Sequence, residues 1–168
     1  MKLEKWTEKA NKKLDEMLES KNVRFCNLDD GVVFCDDSGT WCMFAPGSVV
    51  LSARGDDARR NDRIKNVWKK YVDESDAVLT HGVKGFTDDN GKKAACTRFP
   101  VMNMDGTFSN DSVYVYDRVL NKFPKSTLFY ASAPLAPVLC GIWDNDRLHI
   151  IGMVYPFIKK NEFIEREA

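Results

Sequence analysis

A chain of 168 residues with 43% hydrophobic and 30% charged side chains is long enough to bury one core and short for two, which excludes a disordered chain and implies a single domain over residues 1–168. Its 25 basic and 25 acidic residues cancel, so no global field marks it for nucleic acid or membrane, and only a local patch could do so. The charged start MKLEKWTEKANKKLDEM has no apolar signal region and no run approaches the roughly 18 apolar residues of a membrane span, so the sequence reads as cytoplasmic with no membrane partner.

In chain order, Leu3, Trp6, Ala10, Leu14, Met17 and Leu18 fall on one stripe of an amphipathic helix over residues 3–20, whose mixed charges read as a solvated face. From Val23 to Ala45 the period changes: VRFCNL, VVFC and TWCMFAP, separated by DDG and DDSG, predict three antiparallel strands. Asp30-Gly31 and Ser38-Gly39 would supply positive backbone dihedrals to the hairpin turns. SVVLSA then reads as a further strand. A second helix follows through DDARRNDRIKNVWKKYVDE, capped at Asp56 and Asp57, with Ile64, Val67, Trp68 and Tyr71 at helical spacing.

AVLTHGV predicts a strand, FTDDNGKK a turn, and AACTRFPVM a strand that breaks near Pro100. Ser109, Asn110 and Asp111 read as the cap of a third helix with Val113, Tyr116, Val119, Leu120 and Phe123 on its buried stripe, ended by Pro124. Three closing strands lie in STLFYASAPLAPVLCGI and RLHIIGMVYPFI, and the charged tail KKNEFIEREA frays or forms a short helix. The fold class implied is α+β: antiparallel sheet with helices on one face, in which a helix followed by three strands occurs at each end.

That closing unit carries a resemblance. Residues 110–158, through Ala133-Pro134-Leu135-Ala136-Pro137-Val138 and Met153-Val154-Tyr155-Pro156, resemble the final unit of a bacterial DNA polymerase sliding clamp, the polymerase III beta subunit. The resemblance implies a clamp-like domain of two α-β-β-β units that associates with DNA or with replication partners. The chain departs from the pattern in having room for one domain where a bacterial clamp subunit has three, in the inserted helix at residues 56–72, and in Phe157 where the family's closing strand has an arginine.

The candidate DNA-binding residues are Arg59, Arg60, Arg63, Lys69 and Lys70 on the second helix, the only segment with a marked charge asymmetry. Such a helix would contact phosphates without reading bases, or would merely keep a surface soluble. The alternative is a protein-interaction module of a phage or other mobile element that binds a host protein without DNA contact through surface aromatics; Trp41 and Trp143 in strands and Tyr114 off its helix stripe are the candidates, most of which read as core.

Catalysis would need a cysteine to converge with His81 or His149 and an aspartate such as Asp146, and cysteines in apolar runs make poor thiolates, so the sequence reads as non-catalytic. Five cysteines, Cys26, Cys35, Cys42, Cys96 and Cys140, without a C-x2-C pair give no metal site, and no phosphate-binding loop occurs, so no cofactor is expected. Asp29-Asp30, Asp36-Asp37 and Asp88-Asp89 read as turn residues.

Overall fold

The computed structural model describes residues 1–51, 61–73, 76–103 and 105–166, with the side chain of Asp62 left aside. Helix α1 (Leu3–Ser20) forms as its stripe predicts, burying Trp6, Ala10, Leu14 and Met17. Its first turn is closed from a distant part of the chain: the Leu3 amide donates to Asp144 Oδ2 at 3.0 Å. Trp6 Nε1 donates to the Phe44 carbonyl at 2.9 Å, so the indole is satisfied although fully buried.

The three predicted strands follow as β1 (Arg24–Leu28), β2 (Gly31–Cys35) and β3 (Trp41–Pro46), an antiparallel meander. Gly39 takes the positive φ expected of a tight turn, 68°. Gly31 does not. It is glycine for a different reason, because a Cβ there would lie within 3 Å of the Phe44 ring and closer still to the Ala45 carbonyl. Residues 48–51, expected to start a fourth strand, are irregular: the Asn27 side chain accepts from Val50 N (2.9 Å) and donates to Val50 O (2.8 Å), taking the groups a ladder would have used.

Helix α2 (Asp62–Trp68) is capped by Asn61, whose Oδ1 accepts from Arg63 N at 3.0 Å, and runs into a π-helical turn, Lys69–Asp73. The caps expected at Asp56 and Asp57 lie outside the described residues. Next come β4 (Val78–Thr80), β5 (Val83–Asp89) and β6 (Lys92–Met102). The turn expected over FTDDNGKK shrinks to Asn90-Gly91, both with positive φ, and β6 runs through Pro100, with a register shift between Pro100 and Met102 absorbing the proline.

The largest correction concerns residues 108–116. The expected third helix is instead strand β7 (Phe108–Tyr116), and only one turn of helix, α3 (Asp117–Leu120), follows. Val113 and Val115 are buried while Tyr114 and Tyr116 point the other way, which is the period of a strand. The closing strands β8 (Leu128–Ala131), β9 (Val138–Asp144) and β10 (Arg147–Val154) are as expected, with Pro134 and Pro137 between β8 and β9. Over the described residues the tail is not helical but adds a short strand: β11 (Ile164–Glu165) pairs with β5.

Two antiparallel sheets result, a seven-stranded one in the order β1-β2-β3-β10-β9-β8-β4 and a four-stranded one in the order β11-β5-β6-β7. The protein is α+β. The two terminal meanders join edge to edge, Val154 facing Trp41 and Gly152 facing Met43. Helix α1, the α3 turn and the inner face of the small sheet (Phe99, Val101, Val113, Val115) share one core against one face of the large sheet. Trp6 stacks on Phe123 just beyond α3, ring centroids 5.8 Å apart.

Helix α2 lies on the opposite face with Val33, Cys35, Cys42 and Phe44, and Trp68 stacks on Phe44 at 5.5 Å. The expectation of all helices on one face therefore holds for α1 and α3 and is corrected for α2. The hydrophobic alternation of β2 and β3 is too full to leave either face bare, so each face of that meander recruits its own helix.

Candidate functional site

Helix α1 looks charge-neutral when read along the chain and is not when projected around its axis. At 3.6 residues per turn, Lys2, Lys5, Lys9, Lys12 and Lys13 fall on one flank with Glu16 among them, whereas Glu4, Glu8, Asp15 and Glu19 fall on the adjoining strip. The packed stripe of Trp6, Ala10, Leu14 and Met17 fixes the rotation of the helix, and so fixes where the basic flank points.

It points at the α3 turn. Lys9, Lys12, Lys13 and Glu16 line a concavity of about 400 Å³ together with Asn121 and Lys122, over Trp6, Ala10 and Met43. Lys122 is carried there by the turn after α3, held by the Lys122 amide donating to Val119 O at 3.2 Å, with its ammonium 5.4 Å from the centre of the Trp41 ring.

Four ammonium groups thus surround one depression with a single carboxylate. None of them makes an ion pair; the pairs among the described residues, Arg24–Asp37 and Lys84–Asp117, lie elsewhere. Four ammonium groups around one carboxylate leave an excess of positive charge, which raises the local potential and attracts an anion. Trp6 is fully buried, so the site offers no ring for a base to stack on.

The residues singled out from sequence are placed differently. Arg59 and Arg60 lie outside the described residues. Arg63, Lys69 and Lys70 sit on α2 and its π-helical turn, on the other face of the large sheet from α1. Arg63 borders a cavity of about 300 Å³ whose lining also includes Arg24, Asp36 and Asp37, two of each sign with Arg63 counted, and Arg24 takes Asp37. Lys70 lies over the Tyr71 ring at 5.1 Å and edges an open groove of about 890 Å³ that includes Asp76. These three do not converge on one anion site. The α1 flank went unnoticed in the sequence, although a helical projection of residues 2–16 was enough to find it; the arrival of Lys122 required the fold.

The cysteines are buried. Burial pushes the Cys35 thiol up to about 11, and Asp36 adds to the shift; burial likewise pushes Cys96 up to about 11, and raises Cys42 and Cys140 further. At neutral pH these thiols are protonated and poorly nucleophilic. His81 is exposed, and His149 places Nε2 3.2 Å from the Asp144 carbonyl.

Among the described residues no group of three or more histidine, cysteine or carboxylate side chains is arranged to hold a metal ion. Asp36 accepts from Ser38 N at 2.9 Å, which is turn chemistry, and Asp105 does the same for Thr107, whose two bonds hold the Asp105 carboxyl below its usual range. No helix of the described residues is long and apolar enough to cross a membrane.

Comparison with protein-family models, with curated proteins and with solved structures finds no match.

Proposed function

We propose that this chain is a non-catalytic protein that associates with DNA through sequence-independent phosphate contacts, in a clamp-like manner, with the α1–α3 face as the contact surface. The observation that carries the reading is the convergence of Lys9, Lys12, Lys13 and Lys122 around one depression without an ion pair. Two three-stranded meanders joined in one sheet, with α1 and α3 on the same face, support the clamp-like form. The sequence resemblance implied that form, although the second unit contributes one helical turn where a full helix was expected.

The test is fluorescence anisotropy with a 30-base-pair duplex of arbitrary sequence. If about three phosphates are neutralised, affinity falls about 40-fold between 50 and 200 mM salt and does not depend on sequence. Replacing Lys9, Lys13 and Lys122 together by Glu abolishes binding, and replacing Lys69 and Lys70 leaves it unchanged. The opposite pattern would return the site to α2; no salt-dependent binding in any variant would end the DNA reading.

A second reading has its own observation. On the face occupied by α2, Leu139 and Met153 of the second meander are buried with Trp68, but the far end of β9–β10 lies beyond that cluster, and Trp143 stands 60% exposed there beside Leu148. A host or replication protein docking on that end is the alternative function. Trp143→Ser separates the two readings, weakening protein capture and leaving duplex binding intact.

A further inference from the structure

The outer face of the small sheet is covered by the chain's own last residues. Phe157 lies flat on Tyr116 with ring centroids 3.9 Å apart, and Phe163 meets Tyr114 at 5.5 Å. Three cations cap these rings: Arg98 over Phe163, Arg118 over Tyr116 and Lys159 over Tyr114. The backbone is held at intervals, Phe157 N donating to Tyr114 O (3.0 Å), Asn161 Nδ2 to Asp88 O (2.8 Å) and Arg166 N to Lys84 O (2.9 Å).

Beneath Phe163 lies Gly85, where a Cβ would strike the ring and the Ile164 carbonyl. Cys96, paired in register with Gly85 and Tyr116, is 0% exposed because those two positions are roofed by Phe163 and Phe157. The surface is therefore a groove shaped for an extended segment with two aromatics six residues apart. Its occupant is held by rings and a few hydrogen bonds rather than by a long ladder. Ladder pairing spans only Ile164 and Glu165, and Ile158 and Ile164 are 73% and 60% exposed.

We propose that this groove is a peptide-binding site, filled in one chain by its own tail and open to the same segment of a second copy, so that two copies exchange tails. The occupant is the chain's own segment 156–166, which every copy carries. Exchange adds no contact that the monomer lacks, so it is governed by concentration and by the ease of releasing the strap.

The experiment uses the full chain carrying Phe157→Ala and Phe163→Ala, with a fluorescent peptide of residues 156–166. Release of the tail is read by alkylation of Cys96, followed by peptide mass mapping. The expected result is Cys96 alkylation faster by at least about tenfold, binding of the peptide, and restored protection of Cys96 when it binds. Adding Gly85→Leu removes the binding, while circular dichroism confirms that both variants remain folded.

Unchanged Cys96 protection in the double variant would show that the aromatics do not hold the strap, and a released tail with no peptide binding would show that the groove takes nothing in trans. Either result overturns the proposal. The wild-type chain refolded at high concentration is expected to give a dimer by light scattering that is absent in Gly85→Leu. A wild type that stays monomeric at every concentration overturns the exchange.

Discussion

The two meanders of the large sheet have the same strand count and connection, and they differ in what lies over them. Strands β1–β3 are sandwiched between α1 and α2, and every residue of β2 is buried. Strands β8–β10 are covered on one face by the small sheet and α3, and on the other they end in exposed Trp143 and Leu148. Both meanders feed the core, Val138, Cys140, Ile151 and Met153 being fully buried in the second, but the second also ends in exposed apolar surface that the first does not have.

Phe34→Ala in the first meander breaks that comparison most severely. The ring is fully buried and packs edge-on to Trp41 at 6.2 Å, so its loss costs about 3–5 kcal/mol, measured by urea unfolding. Gly152→Val strikes the seam between the meanders, where a Cβ would crowd the Phe123 ring and the Cys42 carbonyl. Overpacking of this kind costs about 1–3 kcal/mol, and hydrogen exchange should show the β3–β10 pairing opening before the rest of the sheet.

A smaller effect follows from Cys35, again in the first meander. Its thiol is raised from 9.0 to about 11 by burial, so the unfolded chain ionises first as pH rises. The stabilisation is complete below pH 9 and is lost as pH climbs through about 11. Urea midpoints at pH 8 and pH 10.5 should fall less in Cys35→Ser than in the wild type; lysines and tyrosines titrate equally in both and cancel. An identical fall would mean that the Cys35 thiol is not held protonated by the first meander.

How much of this was legible in the sequence differs along the chain. Helix α1 and all six strands of the two meanders were readable because their apolar residues keep one period between turn residues. Strand β7 was misread because Val113, Tyr116, Leu120 and Phe123 fit a helical stripe while Val113 and Val115 fit a strand, and Ser109 to Asp111 imitate a cap. The arbiter was tertiary, since β6 supplies an edge along which Val113 to Tyr116 pair with Phe99 to Cys96. The tail was misjudged from its charges, although the aromatics that fasten it, Phe157 and Phe163, were visible. The basic site needed a projection for α1 and the fold itself for Lys122.

The smallest effect on stability is the one that most sharpens the comparison. Trp143 is 60% exposed at the end of β9, opposite Leu148, and its side chain belongs to neither core. Trp143→Ser should move the unfolding free energy by no more than about 0.5 kcal/mol, against the several lost at Phe34. An equal loss at both positions would mean that the second meander is built like the first, with Trp143 part of the folding core. A negligible loss, joined to unchanged duplex binding, would leave the indole with no role in folding or in the basic site, which is the result the protein-docking proposal requires.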